Sequence, residues 1–249
     1  MTNTSTGATQ VAKAEFRIGD ILDRSIGLVS RNFAAYVGLM AVIVPGYVFL
    51  NLQIVGVPPK ELVANWPSLV VPFLLIIILS IVGQTFVIDA AFQDLSGQPV
   101  KIGESVQRAF ARLPAIFVMS ICLVIATLIG YLLFIVPGII VQTILFVALP
   151  VCLVEKLGPI ASLGRSRALT KGYRWKVFAT AFLVALGGGI AMAVIGTVIG
   201  FIGALVGIGG LLQITVGVAM RTVFAAFFAV VVAVIYHDLR VAKEGPGLV

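Results

Sequence analysis

The sequence predicts an all-α integral membrane protein with six transmembrane helices, arranged as three hairpins that are each preceded by a cytoplasmic-side amphipathic helix. Three observations lead to this fold class. The 249 residues are 60% hydrophobic and only 11% charged, whereas a soluble domain is about 45–50% apolar and about 25% charged. Apolar runs long enough to cross a bilayer recur six times, and one short polar segment recurs three times along the chain.

The apolar runs give the six spans, because a helix needs about 20 apolar residues to cross the hydrocarbon core. They cover residues 33–55, 67–91, 113–136, 138–154, 177–200 and 212–236. Pro137-Gly138 leaves almost no polar loop between the third and fourth spans, so we expect a tight hairpin there, and we expect Pro150 to bend the fourth span near its end. The apolar, glycine-rich stretch 201–210 fits an outer turn, a re-entrant piece or a helix extension.

The basic residues orient these spans. Fifteen of the 17 lie in the N-terminal segment, in the loops after the second and fourth spans, or in the tail, and short loops rich in Lys and Arg stay in the cytoplasm. Both termini are therefore expected inside, as six spans require. Arg221 lies deep in the membrane if the sixth span starts near Leu212. It lies near the outer interface, where it can snorkel, if that span starts near Val218, and we favour this second interpretation.

The recurring polar segment reads RIGDILDRS at 17–25, KIGESVQRA at 101–109 and, more loosely, GPIASLGRS at 158–166. It defines repeat units of about 16–95, 100–156 and 158–241, between a disordered tail at 1–15 and a cytoplasmic tail at 242–249. Apolar residues at helical spacing in the first two copies predict helices that lie in the headgroup layer. An aromatic residue follows the shared arginine after nine or ten residues, which is typical of an interface anchor; these residues are Phe33, Phe117 and Trp175.

Each hairpin also ends with an acid near the predicted cytoplasmic face, and a negative charge at a helix C-terminus opposes the helix dipole. The acids are Asp89, Glu155 and Asp238. We hypothesise that they pair with the repeat arginines Arg24, Arg108 and Arg165, in an order that the sequence leaves unassigned. In the other interpretation these are solvated charges that only set the topology.

The sequence predicts no catalytic, cofactor-binding or metal-binding residues. His237 is the only histidine, no GxSxG motif is present, and the cysteines Cys122 and Cys152 lie in apolar segments without a CxxC spacing.

Gln84 and Gln142, together with Arg221, are candidate intramembrane polar residues. Isolated amides more often form hydrogen bonds between helices than line a substrate path. The basic residues follow the topology, so nucleic acid is not expected as a partner. Small residues such as Gly196 and Gly200 fit tight internal packing, a dimer face or a flexible path.

Several segments together resemble one family of bacterial membrane proteins. The chain is similar over most of its length to the membrane domain found beside some glycerophosphoryl diester phosphodiesterases, and to YciC-like stand-alone membrane proteins. The segments are FRIGDILDRS at 16–25 with Asn32-Phe33, VPGI at 136–139, ALP at 148–150 with Glu155, GPIASLGRS at 158–166, LTKG at 169–172 with Trp175, YHDLRV at 236–241 and KEG at 243–245. The resemblance implies a polytopic helical protein of the bacterial inner membrane. It implies no phosphodiesterase activity, because that activity belongs to a separate soluble domain.

The expected function is therefore that of a non-catalytic, multi-pass inner-membrane protein, a scaffold or lipid-associated accessory factor in envelope homeostasis. The alternative is a small transporter or lipid translocator. Anionic lipid headgroups are the expected partners of the basic interfacial helices, and a membrane protein partner or a homo-oligomer stays open. A translocator would bring Asp89, Gln84, Gln142 and Arg221 to one water-accessible cavity.

Overall fold

A computed structural model describes residues 16–245, and every regular element in that range is helical. The predicted tail at 1–15 and residues 246–249 lie outside the described residues. The predicted tail at 242–249 begins inside the last helix, which continues to Glu244. The helices are α1 (Ile18–Arg31), α2 (Phe33–Met40), α3 (Val44–Ile54), α4 (Pro59–Ala64), α5 (Trp66–Leu95), α6 (Ile102–Leu133), α7 (Ile135–Ile144), α8 (Ala148–Val154), α9 (Pro159–Thr170), α10 (Arg174–Val206) and α11 (Gly209–Glu244).

Six helical segments are long and apolar enough to cross a membrane, which confirms the predicted number of spans. They are Phe33–Ile54, Trp66–Leu95, Ile102–Leu133, Ile135–Val154, Arg174–Val206 and Gly209–Glu244. At 1.5 Å per residue, the longest ones exceed the roughly 30 Å hydrocarbon core. They therefore carry the charged residues at their ends beyond the apolar layer.

Two of the six spans are interrupted one turn before a proline. The first contains a 3₁₀ turn, Ala41–Ile43, ahead of Pro45, and the fourth breaks between α7 and α8, ahead of Pro150. A proline cannot donate to the carbonyl four residues earlier and its ring collides with that carbonyl, so the preceding turn is distorted. The expected bend at Pro150 thus lies at residues 145–147.

The break in the fourth span is stabilised by α9. The Ala148 amide donates to Leu145 and not to Ile144. The Ile144 carbonyl instead accepts hydrogen bonds from the hydroxyls of Ser166 at 2.9 Å and Thr170 at 3.2 Å. A buried carbonyl without a partner would be unfavourable, so these two hydroxyls tie the third repeat to the interrupted span of the second.

Two expected turn positions differ in the structure. The turn between the third and fourth spans is at Phe134, whose backbone is extended, and not at Pro137-Gly138. The expectation was wrong because Pro137 lies in the first turn of α7, where no backbone donor is needed. The stretch 201–210 is mostly a continuation of α10 to Val206, and Gly207 ends that helix with a φ of +76° that favours glycine.

Helix α11 forms the centre of the molecule. All residues from 229 to 236 are buried, and the helix packs against α1, α2, α3, α5 and α10. Helix α10 packs mainly on α11 and leaves most of its large apolar side chains exposed. In a membrane protein this exposed surface faces lipid or another protein.

The three copies of the polar segment differ in structure. The first is the separate helix α1, which ends before Asn32, and the third is α9, which is separated from α10 by a turn at Gly172 with a φ of +90°. The second copy is not a separate helix but the first turns of α6. Residues 104–112 contain no glycine, proline or asparagine that would interrupt the helix.

The first two copies of the polar segment also pack differently from the predicted helices, whose apolar face would lie on lipid. Ile21 and Leu28 of α1 are buried in the protein core, whereas Ile26 is exposed. In α6 the buried residues of the repeat are the small Ser105 and Ala109. The larger apolar side chains of the same segment, Ile102 and Phe110, are exposed.

Candidate functional site

Each of the three repeat arginines lies within ion-pair distance of one of the three acids that the sequence predicts at the ends of the hairpins. Arg24 Nη1 is 2.6 Å from Asp238 Oδ1, and Arg108 Nη2 is 3.1 Å from Asp89 Oδ2. Arg165 Nε is 2.9 Å from Glu155 Oε2. We call the part of the molecule that holds these six residues the charged end.

The pairing follows a cyclic order. Arg108 of the second repeat pairs with the acid of the first, and Arg165 of the third pairs with the acid of the second. Arg24 of the first repeat pairs with Asp238 of the last and so closes the cycle. The cycle connects every repeat to both of the others at one end of the bundle.

The two partners of each pair differ in exposure. The acid side chains are 13–14% exposed, and their arginines are 29–51% exposed. The carboxylates are therefore nearly withdrawn from water, and the arginines reach them from the surface with part of each guanidinium still solvated. Removing an arginine would leave a desolvated charge without compensation, which is the costly way to break such a pair.

Arg165 serves two carboxylates. Besides Glu155 it forms an ion pair with Glu244, which also accepts a hydrogen bond from Arg240 at 3.0 Å. The hydroxyl of the buried Tyr236 donates to Glu155 at 3.0 Å. Burial lowers the pKa of the Arg165 guanidinium, but its hydrogen bonds to Glu244 and Glu155 outweigh burial and hold that pKa above its usual value. The charge of Arg165 is therefore permanent.

A further acid, Asp94 at the C-terminal end of α5, was missed by the sequence reasoning. It accepts hydrogen bonds from Asn32 and from the buried Tyr36, both at 2.9 Å, and it forms an ion pair with Arg31. The dipole argument that selects Asp89 applies equally to Asp94. Glu244 is absent from the predicted charge pairs because residues 242–249 are predicted to form the cytoplasmic tail.

The candidate intramembrane residues do not converge. Asp89, Gln142 and Arg221 line three different cavities, and Gln84 lines none of these. Gln142 accepts a hydrogen bond from the Tyr131 hydroxyl at 2.8 Å, which is the interhelical role typical of an isolated amide.

Helix α11 begins at Gly209, so Arg221 lies 12 residues from its start and the helix continues on both sides of Val218. The Arg221 guanidinium lies over the Tyr47 ring, 5.5 Å from the ring centre, and no acid of residues 16–245 forms an ion pair with it. A cation–π contact of this kind stabilises a cation whether it lies near the interface or deeper in the apolar layer.

A cleft of about 380 Å³ opens beside the Arg108–Asp89 pair, between the end of α5, the start of α6 and the end of α8. Gln93, Ser96 and Gln98 line one side, and Arg108, Arg112 and Lys156 add positive charge. Within the described part of the chain no group of three His, Cys, Asp or Glu side chains is placed to hold a metal, and both cysteines are free thiols. The arrangement at this end can neutralise and position anionic groups.

Comparisons with family models, with curated proteins and with solved structures found no match to this chain.

Proposed function

We propose that the protein is a non-catalytic multi-pass membrane protein that associates with anionic lipid through its charged end, as a scaffold or lipid-associated accessory factor of the bacterial inner membrane. The charged end would face the cytoplasm, where the positive-inside rule places it. The resemblance to the membrane domain of the phosphodiesterase family, with a role in envelope homeostasis, is part of this proposal.

One observation carries the proposal: an exposed aromatic side chain follows each repeat arginine of the charged end after nine or ten residues, and exposed basic residues lie in the same segments. Phe33, Phe117 and Trp175 are 48%, 44% and 80% exposed. Phe33 and Trp175 stand at the beginning of a helical span, and Phe117 follows the repeat segment within α6. Exposed aromatic side chains beside basic residues are typical of the headgroup region. The acids of the charged end are engaged by arginines, so exposed basic residues such as Arg167 and Lys171 determine the field that lipid experiences.

The proposal predicts selective retention of anionic lipid. The protein is reconstituted into nanodiscs of equal parts phosphatidylglycerol and phosphatidylcholine, released into mild detergent and weighed by native mass spectrometry. We expect the retained lipid to be enriched in phosphatidylglycerol, and the enrichment to fall in the double variant Arg167→Gln/Lys171→Gln. Retention in the 1:1 proportion of the bilayer would contradict the lipid-associated role, and a stoichiometric protein partner in the native membrane would favour the scaffold role.

A small transporter or lipid translocator is the second candidate, favoured by a cavity of about 190 Å³ next to Arg221. Asn51, Gln213 and Gly196 also line it, between α3, α10 and α11. A cation beside amides in a span is typical of a path for an anion. Flux of an anionic solute or lipid across proteoliposomes that is lost in Arg221→Gln would establish this function, and unchanged flux in that variant would exclude this cavity as the path.

A further inference from the structure

We infer that the cleft between α5, α6 and α8 is a specific binding site for a phosphate group, and that the phosphodiester of an anionic phospholipid headgroup occupies it. This inference rests on the proposed association with anionic lipid. It goes further because it replaces a diffuse basic surface with one site and two named cations, Arg112 and Lys156.

The first argument is uncompensated charge. Arg108 is neutralised by Asp89 and lies 3.5 Å from Glu104. Arg112 donates to a backbone carbonyl, that of Lys156, at 3.4 Å. Among residues 16–245 no acid forms an ion pair with Arg112 or Lys156, so two positive charges at the cleft have no ion-pair partner. A guanidinium and an ammonium together are well suited to bind a phosphate.

The second argument is the backbone at Lys156. This residue has a φ of +55° and is the one non-glycine residue of the described chain in the left-handed region. Lys156 follows the C-cap of α8, a position where the left-handed conformation commonly ends a helix and where glycine is usual, so a residue with a Cβ is held there at some cost. Arg112, which holds the Lys156 carbonyl, contributes to fixing it, and the lysine side chain is thereby placed on the rim of the cleft.

The third argument is depth. Arg112 precedes the exposed Phe117 by five residues, about 7.5 Å along α6 at the helical rise. The headgroup layer on each side of a bilayer is roughly 5–8 Å thick. With Phe117 at the boundary of the apolar core, Arg112 therefore lies at the level of lipid phosphates. Phe92 and Leu153, which also line the cleft, offer an apolar wall to the glycerol and upper acyl chain of a lipid.

The other polar groups of the cleft are already arranged. Gln93 Nε2 donates to Ser105 at 2.5 Å and to Asp89 at 2.9 Å, and its carbonyl accepts from the Lys101 amide at 3.3 Å. This network fixes the cleft wall and keeps Asp89 turned toward Arg108. The acid is thus held in its own pair, and Arg112 and Lys156 remain to meet a bound anion.

The experiment measures the tightest phosphatidylglycerol site by native mass spectrometry, with lipid titrated into the delipidated full-length protein. We expect Arg112→Gln and Lys156→Gln each to weaken that site about tenfold, and Arg112→Lys to weaken it less. The double variant Arg167→Gln/Lys171→Gln, which removes two charges of the basic surface outside the cleft, should weaken this one site less than Arg112→Gln does. Lys60→Gln, which removes an exposed charge of α4 away from the cleft, is the matched control and should have less than a twofold effect. Unchanged thermal unfolding of each variant shows that the fold is intact.

Further arms separate the possible outcomes. Competition by millimolar inorganic phosphate, lost in Arg112→Gln, would support recognition of the phosphate group at this site. Binding of inorganic phosphate to the delipidated protein without a tight phosphatidylglycerol site would overturn the assignment to a lipid headgroup. Equal weakening in Arg112→Gln and in the double variant Arg167→Gln/Lys171→Gln would overturn the specific site while leaving the proposed lipid association intact. No preference for phosphatidylglycerol in any variant would remove the proposed function itself.

Discussion

Arg24 and Asp238 are 214 positions apart in the sequence, and Arg24 Nη1 lies 2.6 Å from Asp238 Oδ1. This contact joins the first helix of the chain to the last and completes the cycle of three arginine–carboxylate pairs. The other two pairs join neighbouring repeats over 19 and 10 positions. The long-range pair therefore forms only when the first and last helices have packed together.

The Arg24–Asp238 pair gives the first prediction. Because Asp238 is 13% exposed and Arg24 is 51% exposed, Arg24→Gln leaves a nearly desolvated carboxylate with only His237 beside it, 3.4 Å away. We expect the free energy of unfolding in detergent micelles to fall by about 1–3 kcal/mol. The double variant Arg24→Gln/Asp238→Asn should recover most of that loss. The control Lys101→Gln breaks a pair exposed on both sides and should change little. Additive losses in the double variant would show that the two side chains do not interact.

Arg165 gives a prediction about which acid restores a reversed charge. Arg165→Glu brings a third carboxylate to Glu155 and Glu244, so we expect a marked loss of stability in thermal unfolding. Adding Glu244→Lys should restore more stability than adding Glu155→Lys. Glu155 also accepts the hydrogen bond of the buried Tyr236, and a lysine there leaves that hydroxyl without its acceptor. Failure of both second changes to restore stability would rule out a structural role for these pairs.

Asp94 gives a prediction that the repeat pattern alone would not suggest. It is 8% exposed and accepts from Arg31, Asn32 and Tyr36. Asp94→Asn keeps the size of the side chain, but the new amide NH₂ group would face three hydrogen-bond donors where the carboxylate accepts from them now. We therefore expect the free energy of unfolding to fall by about 1–3 kcal/mol. Asp20→Asn, at an exposed position of α1, is the matched control and should stay within about 0.5 kcal/mol. Equal effects at both positions would contradict the buried role of Asp94.

Much of the architecture could be predicted from composition and spacing. Apolar runs of sufficient length have few structural alternatives, since every backbone polar group in lipid must be bonded internally. The number of spans is therefore strongly determined. The positions of turns are not, because a proline distorts the turn that precedes it. For this reason the bend expected at Pro150 lies at 145–147, and the hairpin expected at Pro137 lies at Phe134.

The members of the charged end could be proposed from the sequence, but their partners could not. Helix dipoles single out acids such as Asp89 at helix C-termini, yet nothing in the local sequence states which repeat lies beside which. The pairing of Arg24 with Asp238 depends on the closure of the whole bundle. The hydrogen bonds from Ser166 and Thr170 to the Ile144 carbonyl likewise depend on the break between α7 and α8. That break lies one turn before the proline at which the sequence predicts it.

The last prediction concerns three consecutive glycines of α10, which the sequence could not tell apart. At Gly188 an added Cβ would overlap the ring of Phe224, whereas Gly187 and Gly189 have open space around them. Phe224 cannot move freely, because its ring packs against Phe228 with ring centres 6.3 Å apart, and Phe228 in turn packs against Phe146. The close approach of α10 to α11 therefore depends on the middle glycine.

Replacing each glycine by alanine separates packing from helix propensity. Alanine in a helix interior gains about 1 kcal/mol over glycine, and overpacking a filled contact costs about 1–3 kcal/mol. We expect Gly187→Ala and Gly189→Ala to leave the thermal unfolding midpoint unchanged or raise it, and Gly188→Ala to lower it. Phe224→Leu added to Gly188→Ala should recover part of the loss by making room for the methyl group. If Gly187→Ala or Gly189→Ala lowers the midpoint as much as Gly188→Ala, the exposed face of α10 must be covered by another protein chain or by a segment outside residues 16–245, since within those residues nothing lies within 4 Å of an added Cβ at either position.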